Sequence, residues 1–155
     1  MTELSDLLVP EAIVSGMSVT TKKALFQQLG AASARAYGLD AAEVSTRLAE
    51  REKLGSTGFG GGIAIPHGKL DGLGAVRGLF VRLSKPVDFG AVDELPVDLV
   101  FVLLSPVDAG AAHLKALACV SRRLRDRGFA AKLRGAGSED ALFALLTSVE
   151  ARDAA

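Results

Sequence analysis

Residues Val97 to Ser105 read Val-Asp-Leu-Val-Phe-Val-Leu-Leu-Ser, a nearly continuous apolar run broken only by Asp98. An apolar run of this length, without polar alternation, reads as a strand buried on both faces at the centre of a sheet. It is too short to span a bilayer. Around it the chain alternates helical patterns with strand patterns. That alternation predicts an α/β sandwich, a mixed β-sheet flanked by helices, in a single domain covering residues 1–155. A chain of 155 residues can bury one sizeable core. The core is expected over about residues 4–149, with residues 150–155 as a frayed tail.

The helices announce themselves by caps. Leu4 to Leu8 suits one helical turn before Pro10. Ser18 is read as the cap of a helix over Val19 to Tyr37, with Gly38 as its stop. Asp40 and Glu43 have capping-box spacing, which predicts a helix over Ala41 to Leu54 ended by Gly55. Asp108 suits the cap of a helix over Ala109 to Arg127, with Gly128 following it. Ser138 opens a last helix that ends near Val149. Strands are expected at Ile63–Ile65 and Val76–Leu83. Lys85 to Phe89 reads as a turn followed by a short edge.

Function concentrates in Leu54 to Leu70, where glycines at 55, 58, 60, 61, 62 and 68 surround His67. Such a run lets the backbone come close to a ligand and aim N–H groups at it. The backbone of Thr57, Gly60, Gly61 and Gly62 is expected to hold an anion this way. Pro66 should stop the short strand and leave His67 at its end. The glycine run closes with Gly-Ile-Ala and not with Gly-Lys-Ser/Thr, so it is not a P-loop.

Helical spacing adds two residues. Arg51 lies seven positions after Val44 and shares its face with Leu48. His113 lies four before Leu117, on the face of Val120 and Leu124. Each places a polar group on an apolar stripe, where a buried charge needs a partner. Arg51 has two readings: a side chain snorkelling past the helix end to water, or an anion contact. Taken alone, His113 reads more simply as a first-turn histidine satisfying local backbone groups. The only other histidine, in the glycine-rich turn, tilts both toward a site. A neutral imidazole can carry a phosphoryl group. Such transfer needs mainly positioning and charge stabilisation, which an arginine fork and backbone N–H groups supply.

These residues carry a resemblance. The segments Arg51 to Thr57, Gly60 to Leu70, Pro86 to Phe89, Pro96 to Phe101 and His113 to Ala118 resemble the enzyme IIA proteins of the bacterial phosphotransferase system, fructose/mannitol type. Within that type the chain is most similar to the nitrogen-regulatory branch. The opening Leu4-Ser-Asp-Leu-Leu-Val-Pro10 also fits. The resemblance implies that His67 is the phosphorylated histidine, with His113 and Arg51 as its active-site companions. It implies a donor, a phosphohistidine carrier of the HPr type, and partners that respond to phosphorylation state. No metal and no bound cofactor are implied. Three positions depart from the family pattern: Gly61 where Asn is frequent, Gly90 where Asp is common, and Ala112 where an acidic residue is common.

Other classes fit less well. A sugar-transport IIA that passes the group to a separate fructose or mannitol IIB is the alternative within the family. A binding module with inert histidines is the alternative outside it. Two histidines without a cysteine cluster make a weak metal set. Lys and Arg number 18 and Asp and Glu 18, so no strong pull toward nucleic acid is expected. Arg122, Arg123, Arg125 and Arg127 then read as a solvated helix end, with docking of an acidic partner as the other reading. The lone Cys119 reads as a buried core residue and fits a reducing compartment. The first residues lack a signal-peptide pattern, so a cytoplasmic protein without membrane insertion is expected.

Overall fold

The apolar run forms strand β6, Val97–Pro106, in the middle of the sheet. Successive side chains of a strand alternate between faces, yet residues 99–105 are all buried. Layers therefore cover both faces of the sheet. The structure, a computed structural model, describes residues 2–148. The tail expected to fray and the helix end expected near Val149 lie outside the described residues.

β6 pairs antiparallel with β5, Arg77–Val87, and parallel with β3, Ile63–Ala64, and β4, His67–Leu70. β1, Ile13–Met17, lies parallel to β5 at one edge. β2, Gly58–Gly60, pairs antiparallel with β3. Helices α1 (Lys22–Tyr37), α2 (Ala41–Glu52), α3 (Ala111–Arg125), α4 (Arg127–Gly135) and α5 (Glu139–Thr147) surround this mixed sheet. α2 packs on β4, α3 on β6 and α5 on β1. The architecture is the mixed α/β fold that the alternation predicted.

Three expected caps or stops are in place. Asp40 accepts from the Glu43 N–H at 2.9 Å, and Ser138 from the Ala141 N–H at 3.0 Å. Gly38 ends α1 at φ 69°, the left-handed position that glycine fills without strain. α1 starts later than expected, because Thr21 rather than Ser18 accepts from the Ala24 N–H. α2 ends at Glu52, before Leu54. α1 and α2 approach closely at Gly30, where an added Cβ would lie 2.3 Å from the Ala41 carbonyl oxygen.

The helix expected over Ala109 to Arg127 is two helices. Gly110, not Asp108, precedes α3. Asp126 leaves the helical conformation and caps α4 by accepting from the Phe129 N–H, so Gly128 sits inside α4. β5 runs on through Lys85 and Pro86 to Val87, with a register irregularity before Val87, where a turn was expected. β1 was not expected at all. Gly16, at φ 72°, sits between the out-of-register Ser15 and Met17 and breaks the alternation. In the basic cluster Arg122, Arg125 and Arg127 are exposed, but Arg123 is buried over the Phe129 ring at 4.3 Å. Cys119 is buried, as expected.

Candidate active site

The register of two strands and the ends of two helices bring the expected residues together. β4 begins at His67, which pairs with Leu103, and Lys69 pairs with Ser105. The short strand does not simply end at the histidine. Pro66 interrupts it, and its carbonyl accepts from the Leu103 N–H, so the chain continues into β4 beside the same neighbour. Residues two apart share a face, so His67 and Lys69 of β4 and Leu103 and Ser105 of β6 lie on one side of the sheet. Gly68 faces α2, and a Cβ there would lie 3.3 Å from that of Arg47. This close approach brings Arg51, in the last turn of α2, to His67. His113 comes from the first turn of α3.

The hydrogen bonds set the state of His67. Its Nδ1 lies 2.8 Å from the Ile65 carbonyl oxygen, and its Nε2 lies 3.2 Å from Nε of Arg51. A carbonyl can only accept and an arginine N–H can only donate. The neutral ring therefore carries its proton on Nδ1 and presents a lone pair at Nε2. Burial holds the His67 pKa below the ordinary histidine value, and the Arg51 guanidinium adds to this. The Ile65 bond and Glu52 pull the other way without prevailing. Arg51 is itself fixed by a second bond, from Nη1 to the Gly55 carbonyl oxygen at 3.0 Å.

The ring of His113 lies 5.6 Å from that of His67, centroid to centroid. It is buried, and its Nδ1 lies 2.6 Å from Oγ of Ser105. Burial lowers its pKa, and His67 and Lys69 lower it further. The two histidines open onto a cleft that Arg47, Arg51 and Lys69 also line. Leu54 and Val107 rim it and are exposed. Glu50 and Asp71 line it as well, and Glu50 pairs with Arg47 at 3.1 Å, so the positive charge left beside the two imidazoles for an anion is that of Arg51 and Lys69. Among the described residues, no three His, Cys, Asp or Glu side chains cluster so as to hold a metal ion.

The glycine run does something other than expected. Gly60, Gly61 and Gly62 have φ of 114°, 68° and 81° and turn β2 into β3. The Gly61 N–H donates to Asp93, and the Thr57 N–H donates to Glu52. Ile63, next to Gly62, pairs with Leu99, whereas His67 pairs with Leu103. Four residues of strand, about 13 Å, separate those positions. The structure therefore unites His67, Arg51 and His113 and sets Gly60, Gly61 and Gly62 apart from them; Thr57 lies nearer, its carbonyl accepting from the Ile65 N–H at 3.0 Å, but its own N–H is taken by Glu52. The conformational freedom of these glycines serves a tight hairpin. At Gly61, with φ 68°, that conformation is one Asn also tolerates.

Three residues around the site were not anticipated. Lys69 shares the His67 face, as its spacing of two in a strand could have signalled. Ser105 is a hydroxyl at the end of a buried apolar run, which requires a partner. Glu52 accepts from Lys22 Nζ at 2.8 Å, from Thr57 Oγ1 at 2.6 Å and from the Thr57 N–H. It braces the loop that leaves α2 just after Arg51.

Comparison with known proteins gives the family and the fold. The model of the family described as "Phosphoenolpyruvate-dependent sugar phosphotransferase system, EIIA 2" matches residues 6–149. A nitrogen regulatory protein of Bradyrhizobium diazoefficiens is 48% identical over 143 residues, covering 92% of this chain and 94% of that protein. The nitrogen regulatory protein of Escherichia coli is 41% identical over 150 residues, covering 96% and 91%. The crystal structure of the nitrogen regulatory protein IIA-Ntr from Neisseria meningitidis superposes with a TM-score of 0.86 at 38% identity, covering 93% and 99%.

Proposed function

The chain belongs to the EIIA type 2 family of the phosphoenolpyruvate-dependent sugar phosphotransferase system, and from that premise we propose that it is a regulatory phosphoryl carrier that acts through His67. Its relatives named nitrogen regulatory proteins support the regulatory role. The observation that carries the chemistry is the pair of bonds on His67, which leaves Nε2 unprotonated, its lone pair accepting from Arg51 Nε–H until the incoming phosphoryl group displaces that contact.

In the transfer, the Nε2 lone pair of His67 attacks the phosphorus of a phosphohistidine on an HPr-type carrier. The new P–N bond forms as the carrier's P–N bond breaks, and the electron pair returns to the carrier's ring nitrogen. No proton has to move, because Nδ1–H stays on the Ile65 carbonyl. Arg51 and Lys69 offset charge on the transferring oxygens. His113 contributes a hydrogen bond to one of them. The carrier would reach the site across the exposed Leu54 and Val107 on the rim. Among the described residues no helix is long and apolar enough to cross a membrane, which fits a cytoplasmic role. The whole chain acts as one such domain in this reading, without a bound cofactor.

Intact mass after incubation with phosphoenolpyruvate, enzyme I and an HPr-type carrier tests this. The parent gains one phosphoryl group that acid removes, and His67→Ala gains none. An unmodified parent, with a carrier shown to be active, would refute it. A relative named fructose-specific EIIA component, 37% identical over 102 residues, supports a second reading, onward transfer to a sugar-specific IIB. Label passing from the protein to such a IIB would favour it.

A further inference from the structure

Ser105 is wholly buried near the end of β6, and its hydroxyl lies 2.6 Å from Nδ1 of His113. It has no other hydrogen bond among the described residues. A hydroxyl has one proton to donate and two lone pairs. If His113 carried its proton on Nδ1 and donated to Ser105, the serine proton would need a second acceptor inside the core. An orphaned buried donor is costly, whereas an unused lone pair on an oxygen that already makes a bond costs less. If Ser105 donates to Nδ1, every buried polar atom in the pair is satisfied. Nδ1 is then an acceptor, and the proton of the neutral ring must be on Nε2.

We propose that Ser105 is a positioning residue whose hydroxyl donates to Nδ1 of His113 and holds that ring in the tautomer with its proton on Nε2. The inference rests on the phosphoryl-carrier reading for its purpose but not for its geometry. It gives the two rings opposite assignments. His67 is bonded through Nδ1–H and has a bare Nε2, which is the nucleophile. His113 has a bare Nδ1 on Ser105 and an Nε2–H, which is a donor. A tautomer with a lone pair at Nε2 would set that lone pair against an incoming anion. The serine therefore selects the form of His113 that can bind a phosphoryl oxygen. The register that pairs Ser105 with Lys69 places this support on the same face of the sheet as His67.

Long-range proton–nitrogen NMR correlations on the full chain read the tautomer directly. In the parent, His113 should show a protonated Nε2 and a bare Nδ1. Ser105→Ala should raise the Nδ1–H population about two- to tenfold, the bias that one net hydrogen bond supplies. Ser105→Thr keeps the hydroxyl and should restore the parent spectrum. A His113 ring protonated on Nδ1 in the parent would overturn the proposal, whatever the variants do.

Transfer kinetics separate positioning from mere packing. Ser105→Ala should slow phosphoryl acceptance in step with its loss of the Nε2–H form, by less than the change in the tautomer ratio and so by less than about tenfold, with carrier binding unchanged. Adding Ser105→Ala to His113→Ala should slow transfer no further, because the serine acts only through that ring. A multiplicative loss in the double variant, or a single variant with the parent's tautomer and rate, would overturn it. If the parent accepts no phosphoryl group at all, the carrier reading fails while the NMR result still decides the tautomer.

Discussion

Replacing Arg51 with lysine tests what the guanidinium does beyond supplying charge. Arg51 reaches two partners at once, with Nε to His67 Nε2 at 3.2 Å and Nη1 to the Gly55 carbonyl oxygen at 3.0 Å. Its planar fork is held by the loop at one end and aimed at the nucleophile by the other, with further N–H groups left for the cleft. A lysine keeps the charge but offers one compact ammonium that cannot hold both partners in that geometry. Hydrogen bonds involving a charged group contribute about 1.5–3 kcal/mol. Losing one such bond to a transferring oxygen should slow the step about 10- to 150-fold. Rapid-quench measurement of transfer from a phosphorylated HPr-type carrier reads this rate. Circular dichroism and the final extent of labelling control for folding and competence. An Arg51→Lys protein within twofold of the parent would refute the reasoning and reduce Arg51 to a source of charge.

Other expectations concern pH and stability. Protonation of His67 removes its lone pair, and burial and Arg51 place that protonation below the ordinary histidine value. The acceptance rate should therefore stay flat through neutral pH and fall only below about 6.5, the ordinary histidine value. A decline already complete at pH 6.5 would contradict this. The same depressed value makes a contribution to stability that is present above the ordinary histidine pKa and lost as pH falls through the folded-state value. Glu52→Gln leaves Lys22 without its carboxylate and sets an amide donor against the donors of Thr57. It should cost about 2–3 kcal/mol and lower Tm by about 5–10 °C, read by calorimetry. Hydrogen bonds from Lys22 and Thr57 overcome the opposing effect of burial and keep the Glu52 pKa low. Its contribution is thus present above the ordinary glutamate value and lost as pH falls through the folded-state value. Gly30→Ala improves helix propensity but drives a methyl into the Ala41 carbonyl. Urea titration should show a net loss of about 1–3 kcal/mol, and a gain would mean that α1 and α2 can separate freely.

Much of this site was legible because its determinants are local. Asp40 and Ser138 cap their helices through their own oxygens, and Gly38 stops a helix by its own conformation. Helical period put Arg51 and His113 on buried faces, because Val44, Leu48, Val120 and Leu124 fix those faces, and the second histidine in the glycine-rich turn tilted both toward a site. What escaped depends on pairing across the chain. β1 is held by β5 and by Glu139, which accepts from the Ser15 N–H at 2.9 Å from a distant helix. The continuation of β5 through Pro86 rests on its neighbour Val97. The glycine run looked like an anion cradle because positive φ serves a nest and a hairpin equally well. Only the partners of Gly61 and Thr57, the carboxylates of Asp93 and Glu52, distinguish the two.

The proposed chemistry takes place at one atom, Nε2 of His67. Phosphorylating the nitrogen-15-labelled protein through an HPr-type carrier and recording phosphorus and nitrogen NMR identifies the modified nitrogen. The expected product is a single phosphohistidine at His67, bonded through Nε2, with Nδ1 still protonated. A phosphoryl group on Nδ1 of His67, or on His113, would contradict it.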